Sequence, residues 1–131
     1  MTHFQRIAAA FAAFALTLGG ILVASTPAQA APPSNCPNSS MCGYVNSGYT
    51  TGGGYEINPV RSNGVCENVA FNDAWSSIYN NSGKTVRFFA QANCAGSTSS
   101  SFTLANGSGH SEMSLSRPTF ADEISSYRWG G

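Results

Sequence analysis

Two short segments of the sequence place aspartate and serine side chains at the same spacing. The first is Phe71-Asn72-Asp73-Ala74-Trp75-Ser76-Ser77-Ile78, and the second is Phe120-Ala121-Asp122-Glu123-Ile124-Ser125-Ser126-Tyr127. Asn and Asp side chains can hydrogen-bond their own backbone and hold a tight turn, and serines can bond nearby backbone groups. The shared spacing therefore predicts two copies of one turn, each followed by a strand, and indicates an internal repeat.

No arrangement of residues in the sequence is typical of an enzyme. The chain has two histidines, His3 and His110, and only His110 lies outside the N-terminal segment. The sequence contains no Gly-x-Ser-x-Gly segment and no metal-ligand spacing. Asp122 and Glu123 are adjacent, and they make a poor acid–base pair because neighbouring residues of a strand face opposite sides. The chain is therefore predicted not to be an enzyme.

The first 30 residues are typical of a secretory signal peptide. Arg6 supplies a short positive region, residues 7–23 are apolar, and Ala28-Gln29-Ala30 is a small-x-small cleavage site. No second apolar run is long enough to span a membrane. The chain carries six basic and six acidic residues, so electrostatics disfavours nucleic acid and anionic membranes as partners. We expect a secreted, monomeric protein whose residues 31–131 form one domain.

All four cysteines belong to that domain: Cys36, Cys42, Cys66 and Cys94. An even number in an exported chain implies two disulfides, for which three pairings are possible. We favour Cys36–Cys42, which would staple the N-terminal arm to the first strand, and Cys66–Cys94, which would tie the two copies together. On the chain-entropy model these would contribute about 2.4 and about 3.6 kcal/mol. A zinc site is disfavoured because the spacing gives no pair of Cys-x-x-Cys units.

Short strand signals between turn-rich segments dominate residues 31–131, and no segment keeps a helical apolar period. The predicted strands are Met41–Val45, Gly54–Asn58, Ser77–Asn80, Val86–Ala90, Ser100–Leu104, Glu112–Leu115 and Ser125–Trp129. Two Gly/Ser-rich segments, Ser97–Ser101 and Ala105–Gly109, are predicted to be loops. The predicted core is mostly aromatic: Trp75, Ile78, Phe88, Phe102, Leu104, Phe120, Ile124 and Trp129. The pattern predicts an all-β sandwich or barrel, with motif one over about 41–80 and motif two over about 85–129.

The two Asp–Ser segments resemble the signature of the βγ-crystallin fold, whose two Greek-key motifs each carry Asn/Asp-Asn/Asp-x-x-Ser/Thr-Ser. Residues 72–77 match it in full, and residues 121–126 depart from it only at Ala121. With its signal peptide, early Cys36 and Cys42, and Gly-rich first motif, the chain is similar to the secreted actinobacterial metalloproteinase inhibitors of that fold. The resemblance implies an inhibitor of a metalloendopeptidase, with a secreted metallopeptidase as partner. The alternative is a calcium-binding structural or toxin-like module without inhibitory activity.

The same resemblance implies a set of calcium ligands, because related proteins clamp two ions between their two signatures. Carried over to this sequence, the oxygen ligands come from Asn72, Asp73, the Ala74 carbonyl, Ser76, Asp122, the Glu123 carbonyl and Ser125. Calcium takes six to eight oxygens, and Ala121 removes one, so we expect a dissociation constant of about 10⁻⁴ to 10⁻³ M at best. The alternative is that the signature only stabilises the fold of the motif and binds no calcium. In either case we expect inhibition to require no cofactor.

A rigid, exposed loop is what the inhibitory function would need, because preorganisation lowers the entropy cost of binding. Residues 58–68 have a stiffening Pro59, a turn-forming Gly64 and an anchoring Cys66. We expect Val65, Cys66 and Glu67 to meet the peptidase, with the loop lying along the cleft like a substrate. Thermolysin-like enzymes prefer a large apolar residue after the cleaved bond, which suits Val65 after Gly64 and not Glu67. The alternative is that the loop only carries a structural disulfide.

Overall fold

The computed structural model describes residues 31–131, and the predicted signal peptide lies outside the described residues. Eight strands dominate: β1 (Ser40–Tyr44), β2 (Tyr55–Pro59), β3 (Cys66–Asn68), β4 (Ser77–Asn81), β5 (Val86–Phe89), β6 (Ser101–Leu104), β7 (Ser108–His110) and β8 (Ser126–Trp129). Two 3-10 turns, Ala92–Cys94 and Thr98–Ser100, and one helical turn, α1 (Met113–Ser116), complete the elements. None of the helices among these residues is long and apolar enough to cross a membrane. The all-β prediction is confirmed.

The strands form two four-stranded antiparallel sheets that exchange one strand each. Sheet A has the order β2-β1-β4-β7, and sheet B has the order β3-β8-β5-β6. The first half of the domain therefore contributes three strands to sheet A and one, β3, to sheet B. The second half contributes three strands to sheet B and one, β7, to sheet A. This exchange gives the interlocked, Greek-key arrangement that the resemblance to the βγ-crystallin signature implied, and it makes the two halves one packed unit.

The core lies between the two sheets and is mainly aromatic. All eight predicted core residues are buried, and Met41, Val86, Met113 and Tyr127 join them. Trp75 lies directly over Gly43 of β1, where an added Cβ would come within 2.1 Å of the indole Cε2 atom. The close approach of that indole to the strand backbone therefore requires glycine at position 43. A second cluster on the outer side of sheet A contains Cys36, Cys42, Tyr44 and Tyr79.

Both disulfides have the pairing that the sequence favoured. Cys36 is bonded to Cys42, and Cys66 is bonded to Cys94. The first bridge joins the N-terminal arm to β1 on sheet A. The second joins β3 to the 3-10 turn Ala92–Cys94, which packs over sheet B. Each sheet is therefore stapled once to a segment that lies outside it.

Three local predictions were wrong, and all of them concern short segments. The predicted strand Glu112–Leu115 is instead the helical turn α1, in which Arg117 N donates to Met113 O at 2.7 Å. The predicted loop Ala105–Gly109 contains the start of β7, whose residues Ser108–His110 pair with Ile78–Asn80 of β4. Gly109 lies so close to Tyr79 that an added Cβ would approach its Cδ2 atom to 2.6 Å. Residues 66–68 belong to the predicted exposed loop 58–68 but form strand β3, because they pair with three residues of β8.

Candidate functional site

The predicted inhibitory segment ends in β3, at the edge of sheet B. Cys66, Glu67 and Asn68 pair with Arg128, Tyr127 and Ser126 of β8. Because β3 is the first strand of the sheet, one side of its backbone has no neighbouring strand. Val65 comes just before β3, and its side chain is 39% exposed. An extended, partly exposed segment therefore follows directly after the Gly64 turn.

The peptide between Gly64 and Val65 is held on both sides by β8. Gly64 N donates to Trp129 O at 2.7 Å, and Trp129 N donates to Val65 O at 3.0 Å. A further hydrogen bond of 3.3 Å joins Val65 N to Ser62 O across the turn. Gly64 has a positive φ of 86°, and its carbonyl accepts no hydrogen bond within residues 31–131. The backbone is thus fixed around one free carbonyl oxygen.

The three residues predicted to contact a peptidase have different surroundings. The Val65 side chain is exposed, and the Cys66 sulfur is joined to Cys94. The Glu67 carboxylate is partly buried and accepts hydrogen bonds from Tyr127 Oη and Trp129 Nε1, both at 2.9 Å. Arg61 Nε lies 3.4 Å from its other oxygen. Glu67 therefore fixes the segment to β8 through its side chain, whereas the Val65 side chain faces the solvent.

These contacts lower the pKa of Glu67 below its ordinary value. Burial on its own would raise the pKa, but the hydrogen bonds from Trp129, Tyr127 and Arg61 together outweigh it. The same carboxylate acts on Tyr127, because burial and then the hydrogen bond to Glu67 raise the pKa of that phenol. The carboxylate is therefore ionised, and the phenol stays protonated as its donor, at neutral pH.

Sequence reasoning missed the residues that hold the segment. Arg61, Tyr127 and Trp129 all bond Glu67, and the side chains of Asn68 and Asn93 are joined through the Asn68 amide, which donates to Asn93 at 3.0 Å. Asn93 N also donates to the Asn68 side-chain oxygen at 2.7 Å. Arg61 lies within the predicted loop 58–68, but Asn93, Tyr127 and Trp129 are distant from β3 in sequence. Only a prediction of which segments pack beside β3 would have found those three.

The two Asp–Ser segments meet each other across the domain. Ser125 Oγ donates to Asp73 Oδ1, and Ser76 Oγ donates to Asp122 Oδ1, each at 2.9 Å. The backbone repeats the exchange, because Asp73 N donates to Ile124 O and Asp122 N donates to Trp75 O. Both aspartates have a φ of 55°. Each half therefore supplies the carboxylate for the serine of the other half.

The remaining predicted calcium ligands are less closely grouped. Asn72 donates to the neighbouring Asp73 carboxylate at 2.7 Å and is exposed. The Ala74 and Glu123 carbonyls accept no hydrogen bond within the described residues. We call each Asp–Ser segment, with the serine that it receives from the other half, a corner. Each corner thus offers one exposed carboxylate, one serine hydroxyl and one free carbonyl, and these hard oxygens suit calcium. No group of three or more His, Cys, Asp or Glu residues that could hold a metal occurs in residues 31–131.

Comparisons with known proteins agree with the fold. A solved structure described as "Evolution of the eye lens beta-gamma-crystallin domain fold" superposes with a TM-score of 0.54 at 17% identity. The match covers 75% of this chain and 92% of that chain, and at this identity it supports the fold alone. No match was found among curated proteins.

A family model extends the comparison from fold to activity. The model of peptidase inhibitor family I36 matches residues 29–101, which include β1 to β5, both disulfides and the segment around Val65. The match covers more than half of the sequence. This chain therefore has the βγ-crystallin fold and belongs to peptidase inhibitor family I36.

Proposed function

We propose that this peptidase inhibitor is secreted and acts on a metalloendopeptidase, into whose cleft it inserts the segment around Val65. Family membership supports a peptidase as the partner and a role other than catalysis. Two disulfides in so small a domain support export, because such bonds persist in oxidising compartments. The finer parts of the proposal rest on the geometry of residues 61–68.

The single observation that carries the proposal is the way β8 holds both sides of the Gly64–Val65 bond. The donor of the first hydrogen bond is Gly64 N, and the acceptor of the second is Val65 O. If a peptidase cut this bond, both new ends would stay tied to Trp129, and the Cys66–Cys94 bridge would hold the chain after it. Reacting groups kept at such short range rejoin far more readily than free ones. The segment would therefore bind like a substrate and leave slowly.

The residues flanking this bond favour a metallopeptidase over other classes. Gly64 offers no side chain before the bond, so recognition must come from Val65 after it. Thermolysin-like enzymes read an apolar side chain at that position, and Val65 is exposed to provide one. The free Gly64 carbonyl oxygen suits the open position of a catalytic zinc, which polarises the carbonyl as a Lewis acid. The unpaired edge of β3 allows the backbone to pair with a strand of the cleft.

An inhibition assay with matched variants tests the proposal. The oxidised protein is expected to inhibit a thermolysin-type metallopeptidase stoichiometrically and to leave serine, cysteine and aspartic peptidases active. Val65→Asp should weaken inhibition at least about 100-fold, since it places an unpaired charge in an apolar subsite. Leu115→Asp is the control, because Leu115 is an equally apolar side chain that is 83% exposed on α1. Equal inhibition by the two variants would show that the peptidase contacts a surface other than the one around Val65.

Weak calcium binding at the Asp–Ser corners is a second candidate property, favoured by the crossed contacts of Asp73 and Asp122. Each corner supplies about three protein oxygens, so water would have to complete the shell, and the expected dissociation constant is about 10⁻⁴ to 10⁻³ M. Calorimetric titration of the wild-type protein tests this. Asp73→Asn and Asp122→Asn should each remove about one site, whereas Glu123→Gln should not. No heat and no thermal shift at millimolar calcium would leave the corners with a folding role alone.

A further inference from the structure

The outer face of sheet B carries two arginines that lie directly opposite each other. Arg87 of β5 and Arg128 of β8 are cross-strand partners. Their guanidinium carbons lie 5.6 and 5.3 Å from the centre of the Phe89 ring. Like charges in directly opposed positions destabilise a sheet. The shared aromatic ring fixes both cations in place, but it does not neutralise them.

The other contacts of these arginines are with neutral groups. Arg87 donates from Nε and Nη2 to the Ser101 hydroxyl at 3.0 and 2.8 Å. Arg128 donates from Nη2 to the Cys94 carbonyl at 3.5 Å. Within residues 31–131 the one ion pair joins Arg61 and Glu67, so neither arginine has a carboxylate partner. A guanidinium has five N–H donors, and both side chains are only half-buried. Each therefore retains donors for an anion.

The arginine pair lies beside the proposed inhibitory segment on sheet B. Cys66 of β3 lies opposite Arg128, and Arg128 lies opposite Arg87, so the three residues form one row across the sheet. Neighbouring strands are about 4.8 Å apart, which places the arginines within about 10 Å of the Cys66–Cys94 bridge. A peptidase that holds the segment beside this bridge would bring the rim of its cleft over the arginine pair.

We propose that Arg87 and Arg128 form a second contact with the target peptidase, by binding aspartate or glutamate side chains at the rim of its cleft. The inference rests on the proposed function, because it requires the segment around Val65 to occupy the cleft. The planar guanidinium binds a carboxylate through two parallel hydrogen bonds. Two adjacent cations that pair with no carboxylate of residues 31–131 also attract an acidic surface before contact, which raises the association rate.

The test measures the association rate constant of inhibition at low and at high ionic strength. The variants are Arg87→Gln, Arg128→Gln and the double variant. Arg117→Gln is the matched control, because the Arg117 guanidinium also lies over an aromatic ring, 5.1 Å from the centre of Phe102. The double variant should associate about tenfold more slowly at low salt. The difference should shrink at high salt, since exposed charges are then screened, and the control should match the wild-type protein.

Three outcomes decide the matter. Equal rates for the double variant and the wild-type protein at low salt would overturn the arginine contact and leave the proposed function intact. If the double variant does not fold, the salt dependence of the wild-type rate decides in its place, and a flat dependence overturns the contact. A wild-type protein that inhibits no metallopeptidase would remove the proposed function, and this inference with it.

Discussion

The Ser76 hydroxyl donates a 2.9 Å hydrogen bond to Asp122 Oδ1, although 46 residues separate the two. Ser125 and Asp73 make the equivalent contact in the opposite direction. Each Asp–Ser segment therefore binds the other half of the domain. Because both halves depend on the exchange, a single aspartate carries more of the stability of the domain than an exposed turn residue usually does.

Replacing Asp122 tests that consequence. Asp122→Ala should lower the free energy of unfolding by about 1–3 kcal/mol, since it removes the acceptor of Ser76 and leaves an alanine in a left-handed conformation. Asp122→Asn should cost less, because asparagine keeps an acceptor and tolerates this conformation. Urea denaturation measures both. Glu123→Ala is the control and should change stability by no more than about 0.5 kcal/mol; a loss equal to that of Asp122→Ala would argue against the exchange.

The parts of the fold that sequence could predict are those with a local signal. The corners are recognisable because Asp73 and Ser76, like Asp122 and Ser125, fall within four residues of each other, and their side-chain chemistry favours a turn. The core was predictable because Trp75, Phe88 and Trp129 are large and apolar in a small chain. Three disulfide pairings were open from the sequence, and the favoured one, Cys36–Cys42 with Cys66–Cys94, is confirmed.

The parts that sequence could not predict are defined by distant pairing. Strand β3 has three residues with no apolar alternation, and it is a strand only because β8 pairs with it about sixty residues later. The same pairing makes Glu67 the acceptor of hydrogen bonds from Tyr127 and Trp129, which no local feature of the sequence indicates. The repeated spacing showed that two corners exist, but not that Ser76 would bind the aspartate of the other copy.

Glu67 should make the protein sensitive to acid. Its pKa in the folded state lies below the ordinary value of 4.5, so the unfolded chain takes up the proton first as pH falls. The stabilisation is therefore present above about pH 4.5 and is lost as pH falls through the folded pKa. Glu67→Gln should make the decline in stability between about pH 5 and about pH 3 shallower. Chemical denaturation across this range measures it, and a decline as steep as that of the wild-type protein would contradict this role of Glu67.

His110 should also make the stability of the protein decline on acidification, but at a higher pH than Glu67 does. Burial, and then the charge of Arg117, lower its pKa below the ordinary value of 6.5. The unfolded chain is thus protonated first, so this contribution is present above about pH 6.5 and is lost on acidification. His110→Phe should flatten the stability profile between about pH 7 and about pH 5. Arg117→Gln should make the slope of stability against pH only partly shallower, because burial would still lower the pKa of His110. An unchanged slope in His110→Phe would assign the sensitivity to another group.

The Cys66–Cys94 bridge should decide whether the protein is an inhibitor or a substrate. Replacing both cysteines by serine removes about 3.6 kcal/mol of stabilisation on the chain-entropy model. It also removes the covalent anchor of the chain that follows Val65, which the hydrogen bonds to Trp129 and the pairing of β3 with β8 would then hold without it. The variant should inhibit a thermolysin-type peptidase briefly and then be cut between Gly64 and Val65. Activity followed over time and mass spectrometry of the fragments measure this.

The Cys36–Cys42 bridge provides the control, because it lies on sheet A and neither of its cysteines is a strand partner of Val65 or of β3. Its double serine variant should lose about 2.4 kcal/mol and still inhibit for as long as the wild-type protein. If loss of either bridge shortened inhibition equally, global stability would explain the effect and the local anchor would not. If loss of Cys66–Cys94 left inhibition lasting, the hydrogen bonds to β8 would suffice to hold the segment, since the backbone of Gly64 and Val65 would still be tied to Trp129.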